Sequence, residues 1–164
     1  MKRILPYGAL SLPDDWEDRT SYQFVSPPMG PDVPMVVGTG AHVSPHRVSI
    51  ILSMIQLPSD LIFEQFLAHQ LSELRTALPG LRAARRDEWQ HPTLGAVPTI
   101  DVSFSISPGQ DVRQLQFLFQ ISKSKNCINL TISTTAANYE RDKTCITAIF
   151  ETFEPASPDV KVAE

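Results

Sequence analysis

Histidine and cysteine are the side chains best suited to metal or nucleophilic chemistry, and here their spacing supports neither. His42 and His46 stand four apart, a separation that lets two imidazoles share a zinc ion when both lie on one helix face. They fall instead in a proline- and glycine-rich segment, with no carboxylate or cysteine at ligand spacing, and are read as exposed loop histidines. Asp14, Asp15, Glu17 and Asp18 lack the spacing of a calcium loop and are read as a solvated turn. Gly38-Thr39-Gly40 is too short for a phosphate loop and precedes no helix. There is no G-x-S-x-G elbow to single out a nucleophilic serine. Cys127 has no His or Lys fixed beside it, so a structural thiol is expected. The expectation is a chain with no catalytic residue, no metal and no cofactor.

What remains is hydrogen-bonding chemistry. Residues 97–107, 112–122 and 127–134 alternate with a period of two, which sends each set of side chains to its own side of a sheet. Ile100, Val102, Phe104 and Ile106, then Leu115, Phe117, Phe119 and Ile121, then Ile128, Leu130 and Ile132 form the greasy set. The other set is Thr99, Asp101, Ser103 and Ser105, Gln114, Gln116, Leu118 and Gln120, and Cys127, Asn129, Thr131 and Ser133, with Asp101 its only charge. A solvated sheet face normally carries Lys, Glu and Arg as well. An uncharged polar face offers hydrogen bonds without a large charge-desolvation penalty, which suits it to a partner.

The elements that must position this face are legible along the chain. Residues 7–12 and 20–25 read as short strands around a turn at 13–15. Residues 26–46 hold five prolines and three glycines and read as a long loop, with room for a short strand at 35–37. Residues 47–56 form a strand with Ile51 and Ile55 on its second face. Pro58 stops it, and Ser59 is a candidate N-cap for a helix reaching Leu78, with Phe63, Leu67, Leu71, Leu74 and Leu78 as its stripe. Pro79-Gly80 ends that helix, a strand with a charged face follows over 81–90, and residues 91–95 turn into the three alternating strands. A last helix spans 139–153. Hairpin-length links require antiparallel pairing, so the fold class is α+β: one twisted antiparallel sheet flanked by helices. If both helices cover the greasy face, the polar face stays open.

At 164 residues the chain is expected to be one domain over 1–155, with a disordered tail over 156–164. A net charge of −4 argues against nucleic acid, and the cluster Arg82, Arg85 and Arg86 is diluted by Asp87 and Glu88. Two cysteines make no disulfide framework and fit a reducing compartment. No signal-peptide-like or membrane-spanning run is evident, so a cytoplasmic protein without direct membrane insertion is expected.

Four segments carry a family resemblance: LSLPDDWEDRTSYQFV (10–25), FEQFLAHQLSELRTALPGLR (63–82), RQLQFLF (113–119) and NYERDKTCITAIFETFEP (138–155). Through them the chain resembles the DcrB/PsbP-like proteins, and among these the Eag-type chaperones of type VI secretion effectors. The resemblance implies a PsbP-like α/β sandwich with one concave sheet face open, a homodimer, and no enzymatic activity. It implies a cytoplasmic chaperone that shields the N-terminal transmembrane helices of a secreted effector before loading. By position, Tyr22 and Phe24 match apolar strand positions of that family, Gln70 its helix glutamine, and Gln114 and Gln116 its strand glutamines. Ile51, Ile55 and Leu118 join them from the alternation itself, as apolar positions within the polar face that can bury a client's side chains. The alternative is a non-enzymatic structural or interaction protein of the same fold with another partner.

Overall fold

The computed structural model describes residues 48–121 and 125–155 in full and, ahead of them, the backbone of six short strands. These six are β1 (Lys2–Leu5), β2 (Gly8–Ser11), β3 (Glu17–Thr20), β4 (Gln23–Val25), β5 (Val33–Val37) and β6 (Gly40–Ser44), and β7 (Ser49–Gln56) follows them. Helix α1 (Phe63–Ala77) leads into β8 (Leu81–His91), β9 (Gly95–Ser107), β10 (Gln110–Gln120) and β11 (Asn126–Thr135). A 3-10 turn, Ala136–Asn138, opens into α2 (Tyr139–Glu151), and β12 (Glu154–Pro155) closes the described chain. The main sheet runs β3-β4-β7-β11-β10-β9-β8, and every pairing in it is antiparallel. The α+β class read from the pattern is the fold.

Local differences from the sequence reading have physical causes. Residues 26–46 hold a β-hairpin, β5–β6, rather than one short strand. Glu154–Pro155 pairs with β2, while the expected tail over 156–164 lies outside the described residues. Helix α1 starts at Phe63, not after Ser59. Its N-cap is Ile62, whose free N–H donates to the side-chain oxygen of Gln65 at 3.1 Å.

The larger correction concerns the faces. Ser107 pairs with Gln110 beside the β9–β10 turn, but the next pair is Ser105 with Asp111. Ile106 is thus the extra residue of a β-bulge, and it is 67% exposed. A one-residue slip sends a strand's side chains to opposite faces. Ile100 and Val102 therefore stand beside Gln116 and Gln114 instead of beside Phe117 and Leu115. Both faces of the sheet become partly apolar, and each helix takes one. Helix α2 covers Ile50, Leu52, Leu115, Phe117, Phe119, Ile128, Leu130 and Ile132 with Ile146, Ile149 and Phe150. Helix α1 covers Ile100, Val102, Leu118 and Cys127 with Phe63, Phe66 and Leu67. The two helices do not share the greasy face.

Phe150 is the hub of the α2 side, stacked on Phe117 at 4.6 Å and met edge-on by Trp89 and His91. Buried His91 ties the β8–β9 turn to the end of α2. Its Nδ1 accepts from the N–H groups of Thr93 and Leu94, leaving Nε2–H to donate to the Phe153 carbonyl at 3.1 Å. Burial holds its pKa below the usual value. The slip also moves Asp101 to this side, away from the polar face. It is buried and held by Arg113 through two hydrogen bonds and by Arg85 through a third, while Arg113 lies 3.5 Å over the Tyr139 ring. Burial pushes the Asp101 pKa up, but the hydrogen bonds and charges of Arg113 and Arg85 outweigh it and hold the carboxyl below its ordinary range.

Two stability outcomes follow. Gly80 and Gly109 both sit at positive φ, yet a Cβ on Gly80 would meet the Ser105 carbonyl oxygen at 2.4 Å while one on Gly109 meets nothing within 4 Å. Gly109→Ala is expected to cost about 1–2 kcal/mol in urea unfolding, and Gly80→Ala clearly more. Equal losses would mean that the Ser105 contact is not limiting. A depressed Asp101 pKa contributes stability above the unfolded-state value of about 3.9, which is lost as pH falls through the folded one. Asp101→Asn is therefore expected to lose ~2–3 kcal/mol at neutral pH, and the gap from wild type should narrow as the pH falls below the unfolded-state value. A gap unchanged with pH would remove the ionised carboxylate as its cause.

Candidate functional site

The α1 side of the sheet is only partly taken by α1. Ladder pairing aligns Ile100, Gln116, Thr131 and Ile51 in one row across β9, β10, β11 and β7, and Val102, Gln114, Ser133 and Ser49 in the next. Gln114 and Gln116 are half-buried and Ile51 is 41% exposed, whereas Thr131 and Asn129 are buried. The polar groups are joined to one another. Gln116 Nε2 donates to Gln114 Oε1 at 3.0 Å, Gln114 Nε2 donates to Ser133 Oγ at 3.1 Å, and Thr131 Oγ1 donates to Asn129 Oδ1 at 3.2 Å. The links through Gln114 hold both glutamine amides in fixed orientations.

The site residues named from the sequence fall into three groups. Gln114, Gln116 and Ile51 share this strip. Ile55 is half-buried and packs against the α1 cluster, and Gln70 is half-buried on α1 itself. Leu118 is a correction: it is 1% exposed beneath α1, so the chain's own helix already occupies it. Phe24 lies in β4 in register with Ile50, and Tyr22 lies outside the described residues. Cys127, assigned to the open face by alternation, is also under α1, where burial pushes its thiol up to about 12. Asn129, Thr131 and Ser133 belong to the strip although the sequence reading named none of them as site residues. Their alternation with Ile128, Leu130 and Ile132 was the available signal.

A concavity of about 560 Å³ lies on the α2 side, where Trp89, Leu115 and Tyr139 are edged by Arg85, Arg113, Lys143, Asp87 and Glu140. Its signs are mixed, and Arg85 and Arg113 already bind Asp101. Among the described residues no three His, Cys, Asp or Glu side chains converge on a possible metal position. No helix among them is long and apolar enough to cross a membrane.

Several solved structures share the fold, among them these three. A Pseudomonas aeruginosa protein of unknown function, PA94, is 19% identical with a TM-score of 0.58, covering 96% of this chain and 97% of that one. LpqN of Mycobacterium tuberculosis, described as involved in cell envelope biogenesis, is 19% identical with a TM-score of 0.56 over 90% and 82% of the two chains. The Ran-binding protein Mog1p of Saccharomyces cerevisiae is 14% identical with a TM-score of 0.50 over 94% and 95%. No curated protein sequence matches. The DcrB family model matches residues 8–152, nearly the whole sheet and both helices, and the chain belongs to the DcrB family.

Proposed function

We propose that this protein is a cytoplasmic, non-enzymatic chaperone that shields the N-terminal transmembrane helices of a type VI secretion effector before loading. The observation that carries the reading is the hydrogen-bonded strip of Gln114, Gln116 and Ser133 beside the exposed Ile51. A transmembrane helix outside lipid presents apolar side chains together with the small and hydroxyl residues it uses for packing. Ile51 and the flank of Ile55 offer apolar area, and the glutamine amides offer donors and acceptors that carry no charge to desolvate. DcrB membership and the four sequence segments support the same reading. Tyr22 and Gln70 are proposed as further client contacts, and Leu118 as support for α1 rather than a contact; Phe24, in register with Ile50, stands on the α2 face and is not among the contacts. The working form is proposed to be a homodimer.

The alternative, an interaction protein of the same fold with another partner, predicts no response to an effector segment. Co-expression with the N-terminal segment of a type VI effector is expected to yield a soluble complex. A hydrogen bond to a guest contributes about 0.5–1.5 kcal/mol, so Gln114→Ala/Gln116→Ala should weaken that complex by about tenfold with folding intact. Ile51→Lys should weaken it at least as much, by placing a charge where the client's apolar surface must be buried. Binding that is undiminished in both variants would remove the strip from the site. An effector segment that stays insoluble beside the wild-type chain would overturn the chaperone reading itself.

A further inference from the structure

The outer edge of β8 combines an unpaired strand side with side chains placed against it. Among the described residues β8 is the last strand on its side of the sheet, and its eleven residues make it a long edge. Unpaired edges invite strand addition by other chains, and native proteins blunt them. Here the Glu88 N–H donates to Asp87 Oδ1 at 2.9 Å, so it is turned away from β9. The Ala84 carbonyl accepts from Arg75 Nη2 at 3.0 Å. Ala84 and Glu88 are four apart, beyond the register shift between Leu81 and Ala83, so a period of two turns both to the same side. Arg75 is the basic residue in the last turn of α1. In the first turn, Glu64 pairs with Arg86 of β8 through both carboxylate oxygens. Helix α1 is thereby tied to β8 near both of its ends.

We propose that Arg75 and Asp87 close this edge to strand addition, and that the partner they exclude is the same edge of a second copy. The charge order of β8 is self-complementary. With Asp87 on a two-fold axis, antiparallel pairing sets Arg86 opposite the Glu88 of a second copy, and the reverse, on one face. On the other face Arg85 meets the second copy's Trp89, a cation–π pairing. The one repulsive pair in that register is Asp87 against its own counterpart. Asp87 thus acts twice, binding the Glu88 N–H and repelling the second copy.

The test is sedimentation velocity over a concentration series on the full chain, without any client, so its failure leaves the chaperone proposal standing. Arg75, Asp87 and Glu88 are exposed, and their replacement is expected to preserve the far-UV spectrum. Relative to wild type, Arg75→Ala/Asp87→Ala should self-associate at least about tenfold more tightly, whatever the resting state. Adding Glu88→Lys, which sets like charges opposite Arg86, should return the variant to wild-type behaviour. A double variant that sediments like wild type overturns the proposal, as does a triple variant that associates as strongly as the double. Should the double variant unfold, Arg75→Met/Asp87→Val keeps side-chain bulk and strand preference and is measured for the same two outcomes.

Discussion

The bulge at Ile106 is the constraint on which the rest depends. Without it, β9 would pair Ile100 with Phe117 and Val102 with Leu115, one sheet face would hold nearly all the large apolar side chains of β9–β11, and α1 would have little to cover. With it, Ile100 and Val102 cross to the other face and give Phe63, Phe66 and Leu67 a floor. The bulge is held by its own polar set. Asp111 accepts from Ser105 Oγ and Arg82 Nε, and Ser107 Oγ donates to Gln110 Oε1 at 2.7 Å. These bonds lie at the solvent end of the hairpin, where each is individually weak, but together they select a register whose alternative would take Ile100 and Val102 from beneath Phe63, Phe66 and Leu67.

The two sides that result are unequal. On the α2 side an aromatic group of Phe117, Phe119, Phe150, Phe153 and Trp89 is locked by edge and stacked contacts, each worth about 0.5–1.5 kcal/mol beyond its area. His91 and the Asp101–Arg113 pair close its ends. On the α1 side the cluster is smaller and leaves part of the sheet to uncharged polar side chains. The half-buried amides of Gln114 and Gln116 thus sit on the side that contributes less to holding the fold.

Much of the element order was legible because it is written in local patterns. The alternation of β10 and β11, the stripe of α1, and the Pro79-Gly80 stop all depend on residues within a few positions of one another. The relation between strands was not legible, because it turns on a single extra residue at Ile106 that no alternation shows. For that reason alternation alone places Asp101 on the polar face although it lies on the α2 side, and Leu118 and Cys127 on an open surface that α1 occupies. Gln114, Gln116 and Ile51 share one face, as the alternation places them, because β10, β11 and β7 keep a common phase. The β5–β6 hairpin was hidden by prolines, which weaken a strand signal without forbidding an isolated two-stranded pairing.

The amides on the polar strip also have a direction. Gln116 donates to Gln114 along β10, and Gln114 donates to Ser133 across to β11, so the chain of donors runs in one order from Gln116 to Ser133. At the Gln116 end the relay begins with an amide oxygen facing away from its own donor link, while at the Ser133 end it finishes on a hydroxyl whose proton is still to be given. A guest with an ordered series of hydroxyls would find acceptor first from one side and donor first from the other. The strip is therefore polar in the vectorial sense as well as the chemical one, and a helix lying along it would not be read the same way in both orientations.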